Sequence, residues 1–344
     1  MGTFVPSGST QAKEIWDEQL WRDSQKQTFF SKFSSELGNS IVYEKKELTK
    51  SQGELIRFGL RARMASGYLP SGTDVRGNEG KLSVYMDAVT VDEKNFGIID
   101  NGMITRQRAF YDMDSSSKQV LIDQTAENLD REHFTALDAT NTNIMYLANG
   151  VATRTSTLST AKTALTATDV LDPEFITKIK TWAKTNRVNG IPLQPVMVGG
   201  KPYFVLLVHP DQLADLEIDS TFAQARREAD LRGKENPIFT GAYAVWNGVI
   251  IHDHENITIG TNAGAGANVA YAQSYLLGER ALCLGWAKMP TVVAEEVSFG
   301  QKHAFASLSM FGIKKPQFTV PGTSTTTDFG SIVVMTARTN VSGL

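Results

Sequence analysis

The sequence has little cysteine and little net charge. Cys283 is the only cysteine among 344 residues, so no intrachain disulfide can form and nothing indicates an oxidising compartment. It lies in the apolar run Ala281 to Leu284, where a free cysteine is ordinarily a small buried hydrophobic side chain. The 34 basic and 37 acidic residues leave a net charge of −3. This balance argues against a protein whose main task is to coat nucleic acid, because such a protein needs a concentrated basic surface.

Long hydrophobic segments are absent as well. A membrane helix needs roughly 18 apolar residues, whereas the strongest uncharged run, Tyr203 to Val208, has the length of a strand. The first residues show no charged segment followed by an apolar one, so we expect no signal peptide and a cytoplasmic product without membrane contact. With 41% hydrophobic and 21% charged residues, the composition is typical of a globular protein that buries a core.

The common catalytic motifs are missing. Gly199-Gly200-Lys201 lacks the remainder of a phosphate-binding loop, and the glycines between Gly260 and Gly266 lack the dinucleotide-binding spacing. No Gly-x-Ser-x-Gly motif occurs. We therefore expect neither an enzyme nor a bound cofactor.

One metal-binding alternative remains open. His252 and His254 are two residues apart on a predicted strand, so they point the same way and could bind zinc with a third ligand such as His209. Zinc needs three or four converging ligands, and the spacing provides only two. Polar residues at the end of a hairpin strand are the more ordinary interpretation.

The apolar periodicity predicts helices and strands in irregular order, which indicates an α+β fold. Asn247-Gly248, between two short apolar runs, predicts a hairpin with a type I′ turn. We expect an irregular excursion over 140–163 and a mobile loop over 260–268. Helices are predicted over 11–37, 117–139, from Pro173 to about 189, and 221–230; strands are predicted over 55–64, 82–91, 204–208, 243–246 and 249–252.

Two segments near the amino terminus carry side chains that need a partner. The first predicted helix contains Trp16, Trp21, Phe29 and Phe33, which pack either on the core of their own chain or on a neighbouring subunit. Without further information, packing on the chain's own core is the more ordinary outcome.

The second segment is a long predicted hairpin. Arg57, Arg61 and Arg63 alternate with apolar residues on its first strand. A polar, glycine-rich loop over 66–80, which contains Tyr68 and Arg76, joins the two strands. The tip of such a hairpin cannot bury itself. The arginines therefore form either a solvated edge or an edge that faces another subunit.

Six motifs follow one another along the chain. They are Gly67…Gly72…Arg76-Gly77-Asn78-Glu79, Val89-Thr90-Val91-Asp92, Met103-Ile104-Thr105-Arg106-Gln107-Arg108, His209-Pro210, Asn236-Pro237-Ile238-Phe239-Thr240-Gly241-Ala242 and Gly312-Ile313-Lys314-Lys315. No single motif is diagnostic. Their order and spacing resemble those of tailed-phage major capsid proteins, and are most similar to the branch found in N-four-like podophages.

The resemblance implies the lambdoid-phage capsid fold and a division into five parts. Residues 1–47 would form an N-terminal helical arm and 48–98 an extended β-hairpin loop. Residues 99–171 would form a peripheral domain with a spine helix over 117–139. An axial domain would follow over 172–289, and strands over 290–344 would return to the peripheral domain.

The resemblance also implies a function. The chain would assemble into pentamers and hexamers of an icosahedral shell that encloses double-stranded DNA without sequence-specific binding. Its location would be the virion, and the host cytoplasm during assembly. We expect a separate scaffolding protein, because no scaffold-like coil precedes the arm. Capsid proteins of this family also contact a portal and, in some cases, a decoration protein.

The candidate contacts between subunits follow from the arm and the loop. Deleting 1–37 or shortening 66–80 is expected to leave a soluble fold without shells. Two alternatives stay open, a metal-dependent enzyme using His252 and His254, and an encapsulin-like compartment shell or tail component. The candidate contact residues are Trp16, Trp21, Phe29, Phe33, Arg57, Arg61, Arg63, Tyr68 and Arg76.

Overall fold

The structure, a computed structural model, contains two large β-sheets, two two-stranded sheets and five α-helices in the residues that it describes. These residues are 28–49, 53–61, 69–76, 84–100, 102–103, 107, 113–185, 192–228, 243–319 and 326–339. The mixture of helices and strands confirms the predicted α+β class. No helix within these ranges is long and apolar enough to cross a membrane.

The elements follow one another in irregular order. The strands are β1 (Ser34–Ser35), β2 (Val42–Lys45), β3 (Leu55–Arg61), β4 (Val84–Thr90), β5 (Asp92–Ile99), β6 (Ile144–Ala148), β7 (Val151–Thr155), β8 (Val196–Val198), β9 (Lys201–Val208), β10 (Ala244–Trp246), β11 (Val249–Asp253), β12 (Ile259–Ala263), β13 (Val269–Leu277), β14 (Leu282–Val297), β15 (Lys302–Lys314), β16 (Gln317–Thr319), β17 (Thr326–Asp328) and β18 (Ser331–Ala337). The helices are α1 (Met113–Asp138), α2 (Leu158–Ala164), α3 (Pro173–Thr185), α4 (Pro210–Ile218) and α5 (Ser220–Glu228), and short 3-10 helices cover Phe29–Phe33 and Glu47–Thr49.

The first sheet has five strands in the order β1-β2-β14-β15-β5. Its centre is the long antiparallel pair β14 and β15. The helix α1 packs on one face, where Leu121 and Ile122 contact Val292 and Phe305. Lys94 on the edge strand β5 forms an ion pair with Glu132 of the same helix at 2.9 Å.

The second sheet has nine strands along β10-β11-β9-β13-β18-β6-β7, with β12 beside β13 and β8 beside β9. Successive residues of β9 enter different cores: Val205 and Leu207 belong to one, and Phe204 and Leu206 to the other. Because both faces are covered, the strand reads as a continuous apolar run rather than an alternation. Every residue of the central strand β18 is buried.

This second sheet combines strands from several of the five expected parts. The strands β6 and β7 precede residue 172, β9 to β13 follow it, and β18 comes from the final segment. The peripheral and axial domains therefore share this sheet if the boundaries lie as expected. The division into 1–47, 48–98, 99–171, 172–289 and 290–344 stays a prediction.

Several predicted elements agree with the structure. The helix predicted over 117–139 is α1, and the helix predicted to start at Pro173 is α3, where the Asp172 carboxylate accepts the N–H of Phe175. Asn247 and Gly248 have φ values of 45° and 78°, which confirms the type I′ turn.

Three local predictions were wrong in the described residues. The helix expected to continue to Leu37 is a 3-10 turn followed by β1. The excursion expected over 140–163 contains β6, β7 and α2, and the β-branched threonines of β7 suit an edge strand. The loop expected over 260–268 begins with strand residues of β12 that pair with β13.

Candidate assembly surfaces

The hairpin β3–β4 lies against the first sheet along one face. Ile56, Phe58 and Val89 are buried in a cluster with Cys283 of β14. Burial raises the pKa of the Cys283 thiol to about 12, so the cysteine is a packing residue, as predicted. The alternation of apolar and polar residues predicted for the first strand is confirmed over residues 56–59.

The Gly312-Ile313-Lys314-Lys315 motif forms the junction between this hairpin and the body. A Cβ on Gly312 would lie 2.1 Å from the carbonyl oxygen of Thr90, so only glycine permits this approach of β4. The Lys314 ammonium pairs with the Asp87 carboxylate on the same strand and donates to the Ala88 carbonyl at 3.2 Å. The base of the hairpin is thereby held in place.

Lys315 points into the body at the carboxyl end of α1. Its ammonium donates to the Leu137 carbonyl at 3.2 Å and to Asn141 Oδ1 at 2.6 Å, and lies 3.4 Å from Asp328. A lysine at this end of a helix satisfies carbonyls that have no partner within the helix. Burial lowers the pKa of Lys315, and the Asp328 charge opposes that effect. Sequence analysis missed this buried pair because its two residues are brought together only by the fold.

The outer face of the hairpin is not covered by its own chain in the described residues. Leu55, Arg57 and Met86 are exposed there, Met86 to 70%. Residues 69–76, which include Arg76, are all exposed. Arg61 pairs with Val84 through its backbone. Arg63 and Tyr68 lie outside the described residues.

The described part of the arm is anchored on α1. The Asp130 carboxylate accepts the backbone N–H groups of Phe29 and Phe30 at 2.8 and 3.2 Å. Burial raises the pKa of Asp130 to about 6, against the effect of those hydrogen bonds. The ring of Phe30 stacks on His133, with centroids 4.6 Å apart. These tertiary contacts explain why the arm turns here instead of continuing as a helix.

The two candidate phenylalanines of the arm differ in exposure. Phe33 is 3% exposed and belongs to the main core. It therefore packs on the core of its own chain and has almost no surface left for a neighbouring subunit. Phe29 is half-buried, and the Lys32 ammonium lies 4.2 Å from the centre of its ring. Trp16 and Trp21 lie outside the described residues.

The histidine pair considered for zinc lies beneath the arm. His252 is fully buried, and the Phe33 ring lies 5.2 Å away. Phe29 contacts His254, whose Nδ1 accepts the N–H of Asn256. Burial lowers the pKa of His254. Among the described residues, no group of three or more His, Cys, Asp or Glu side chains could hold a metal ion.

His209, the suggested third ligand, has a different position. It is the N-cap of α4, where its Nδ1 accepts the N–H of Asp211, and the His209 backbone N–H donates to Oε1 of Gln212. Gln212 is itself fully buried and bonds to Ser274 and Thr336 in the second sheet. The His-Pro-Asp-Gln segment therefore fixes α4 on the sheet, which gives these residues a structural role.

Comparison with known proteins agrees with this architecture. The sequence matches the family described as phage capsid protein over residues 4–340. It is 23% identical to the major capsid protein of Pseudomonas phage KPP25, over 96% of each chain. The fold is similar to the capsid of Ralstonia phage GP4, with a TM-score of 0.77, 23% identity and 99% coverage of both chains. It is also similar to the Cyanophage Pam1 capsid, with a TM-score of 0.73, 19% identity and coverage of 99% of this chain and 100% of that one.

Proposed function

The chain belongs to the phage capsid protein family, and on that premise we propose that its arm and its hairpin loop hold neighbouring subunits together in the head shell. Its function is structural, since many copies form the shell of a phage head. The KPP25 relative is named as a major capsid protein, and we assign the same role to this chain. Its place within the podophage branch stays a prediction.

The alternatives receive less support. The family and the KPP25 relative are structural proteins, and we propose a structural rather than an enzymatic role. His252 and His254 pack against phenylalanine rings, which suits a core position more than a metal site. Family membership favours a phage head over an encapsulin-like compartment or a tail component.

The observation that carries the proposal for the loop is the contrast between its two faces. One face is buried on the first sheet, while residues 69–76 and the side chains of Arg57 and Met86 are exposed. The base is fixed by Gly312 and by the Lys314–Asp87 pair, so the described strands of the hairpin have a defined orientation on the body. A fixed support with an uncovered end suits a contact with another subunit, because little ordering entropy is then lost on binding.

The arginines of the loop indicate which groups of a neighbouring subunit it contacts. The candidate groups are four arginines, Arg57, Arg61, Arg63 and Arg76. We propose that they pair with carboxylates of a neighbouring subunit, and that Tyr68 packs beside them. Exposed pairs of this kind guide association and weaken with salt. The arm would contribute Trp16, Trp21 and the exposed side of Phe29.

The test compares charge reversals at matched exposed sites. Arg57→Glu and Arg76→Glu should reduce shell formation at least about tenfold while leaving the unfolding temperature of the subunit unchanged, since each removes an intersubunit pair. Arg131→Glu, at an exposed position of α1, makes the same charge change away from the loop. Negative-stain electron microscopy and light scattering measure the shells. Normal shells from both loop variants would contradict the proposal.

The arm is tested by a truncation whose end point the structure fixes. The sequence predicts that deleting 1–37 leaves a soluble fold. The structure shows that this deletion would remove Phe30 and Phe33 from the main core. Deleting 1–27 spares them and should give a folded subunit that forms no shells. Shortening 66–80 should have the same effect. Shells of normal size from the 1–27 deletion would show that the arm is dispensable.

Partners and location complete the proposal. We propose pentamers and hexamers as the shell units, with a separate scaffolding protein, a portal and a decoration protein as further contacts. The net charge of −3 suits a shell that encloses DNA without binding it tightly. Membership of the family places the protein in the virion, and we propose the host cytoplasm as the site of assembly.

A further inference from the structure

The turn between β14 and β15 presents a phenylalanine to solvent. Phe299 is fully exposed at the tip of this long hairpin. Ser298, Phe299 and Gly300 have φ values of 58°, 59° and 80°, so three consecutive residues occupy the left-handed region. That region is unfavourable for a bulky side chain, and strain of this kind concentrates at functional sites. A fully exposed aromatic ring leaves its apolar surface in water, which is unfavourable in free energy unless another molecule covers the ring.

The same end of the sheet carries an apolar depression. It has a volume of about 210 Å³. Ala304 lies between Ile99 and Glu295 in the strand register, and Ala306 lies between Gly97 and Val293. Residues directly opposite one another share a face of the sheet. These small side chains therefore form a floor, with Ile99 and Val293 beside it.

The depression and α1 occupy opposite faces of the sheet. Phe305, the residue between the two alanines, is buried against Leu121 and Ile122 of that helix. Alternation along β15 consequently directs Ala304 and Ala306 to the other face. Among the described residues, no helix packs on that side. Ile99 remains 53% exposed at its edge.

We propose that Phe299 of one subunit inserts into the depression over Gly97, Ala304 and Ala306 of a second copy. The inference rests on the proposed function, since it names one contact that shell assembly uses. Phe299 is fully exposed and so does not occupy the depression of its own chain. Glu295 is exposed at the rim, and Lys302 follows the tip by three residues. A tip entering the depression thus brings a positive charge towards Glu295.

The contact has a direction. The phenylalanine and the depression are different surfaces, so every subunit gives one and receives one. Such a heterologous contact either closes into a ring or continues as an open chain of subunits. Closed shells require the ring.

Cysteine crosslinking tests whether the Phe299 position of one subunit contacts the depression of another. The only native thiol, Cys283, is buried and its pKa is raised to about 12, so it does not interfere. The double variant Phe299→Cys with Ala306→Cys should form disulfide-linked multimers when its shells are oxidised. These shells are assembled at well over about ten times the concentration that the wild type needs, because the variant also lacks the phenylalanine. Ala306 is the fifth residue of β15 and lies about 13 Å along the strand from its start, too far for a bond within one chain. Each single variant is the control and should form no ladder.

Assembly of substituted subunits gives the second readout. Phe299→Ser and the depression-filling Ala306→Phe should each raise the concentration needed for shells about tenfold or more, whereas Phe299→Leu should retain assembly. Ile218→Ser removes an apolar side chain that is 80% exposed at the end of α4 and should assemble normally. Circular dichroism and the unfolding temperature report whether each subunit is folded.

The outcomes separate this contact from the proposed function. If the wild type forms shells, and Phe299→Ser forms them equally well with no crosslinks in the double variant, the contact is refuted and the capsid function stands. If the wild type forms no assemblies alone or with its scaffolding protein, the capsid function itself fails. A misfolded Phe299→Ser leaves the decision to Ala306→Phe and to the crosslinks.

Discussion

Acid titration of the unassembled subunit tests how the arm is anchored on α1. The anchor consists of Asp130, which accepts two N–H groups of the arm, and His133, which stacks on Phe30. Burial lowers the pKa of His133 from 6.5 to about 4. The unfolded chain therefore takes up this proton first, and the histidine removes stability as the pH falls from about 6.5 to 4.

Asp130 acts in the opposite direction. Burial raises its pKa from 3.8 to about 6, so the folded chain takes up this proton first and gains stability as the pH falls from about 6 to 4. One pKa unit corresponds to about 1.4 kcal/mol, and each group then contributes on the order of 3 kcal/mol across the range. In the wild type the two contributions largely cancel.

Two substitutions separate these contributions. His133→Phe retains an aromatic ring beside Phe30. As the pH falls from 7 to 4, its free energy of unfolding should rise by about 3 kcal/mol relative to that of the wild type. Asp130→Asn retains an acceptor oxygen and should lose a similar amount over the same interval. Urea unfolding at several pH values measures both free energies. Asp123→Asn, at an exposed position of the same helix, controls for the change in net charge.

The result that would refute this reasoning is specific. The free energy of unfolding of each variant is compared with that of the wild type. If both differences stay constant between pH 7 and pH 4, the pKa values of the two groups are not shifted by folding as argued. Differences of the same sign for both substitutions would equally contradict the argument.

Two further predictions concern the junction that holds the hairpin. Lys315→Met leaves Asp328 buried without its cation and should cost about 3–5 kcal/mol in urea unfolding, and adding Asp328→Asn should recover part of that loss. An additive double variant would show that the pair is not coupled. Gly312→Ala places a Cβ against the Thr90 carbonyl and should lower the unfolding temperature by an amount equivalent to about 1–3 kcal/mol. An unchanged unfolding temperature would mean that β4 can move away without loss.

Local sequence signals predicted those elements whose determinants are neighbours in the chain. Asp172 caps α3 within its own turn, and Asn247-Gly248 supplies both positive φ values of its hairpin. The arm turn at Phe29 depends instead on Asp130, about a hundred residues away, so no local pattern could reveal it. β7 was missed because its threonines look like loop residues until β6 provides a partner.

The candidate surfaces divide in the same way. The exposed outer face of the hairpin follows from alternation and from the length of its loop, and Arg57 was identified by that argument. Phe299 could not be identified from the sequence, because a phenylalanine ordinarily indicates a buried position. Its exposure depends on a turn that directs the ring away from the sheet. The depression was missed because Gly97 comes from a strand about 200 residues before Ala304 and Ala306.

Burial separates the residues that stabilise the subunit from those proposed to join subunits. Phe30, Phe33 and Lys315 lie inside the body, and their loss should lower the free energy of unfolding before any shell is considered. Arg57 and Phe299 are exposed, so substituting them should leave unfolding nearly unchanged and act only on association. A capsid protein needs this separation, because each subunit must fold before its partners arrive. Measuring unfolding and assembly on the same variants therefore distinguishes a damaged subunit from a lost contact.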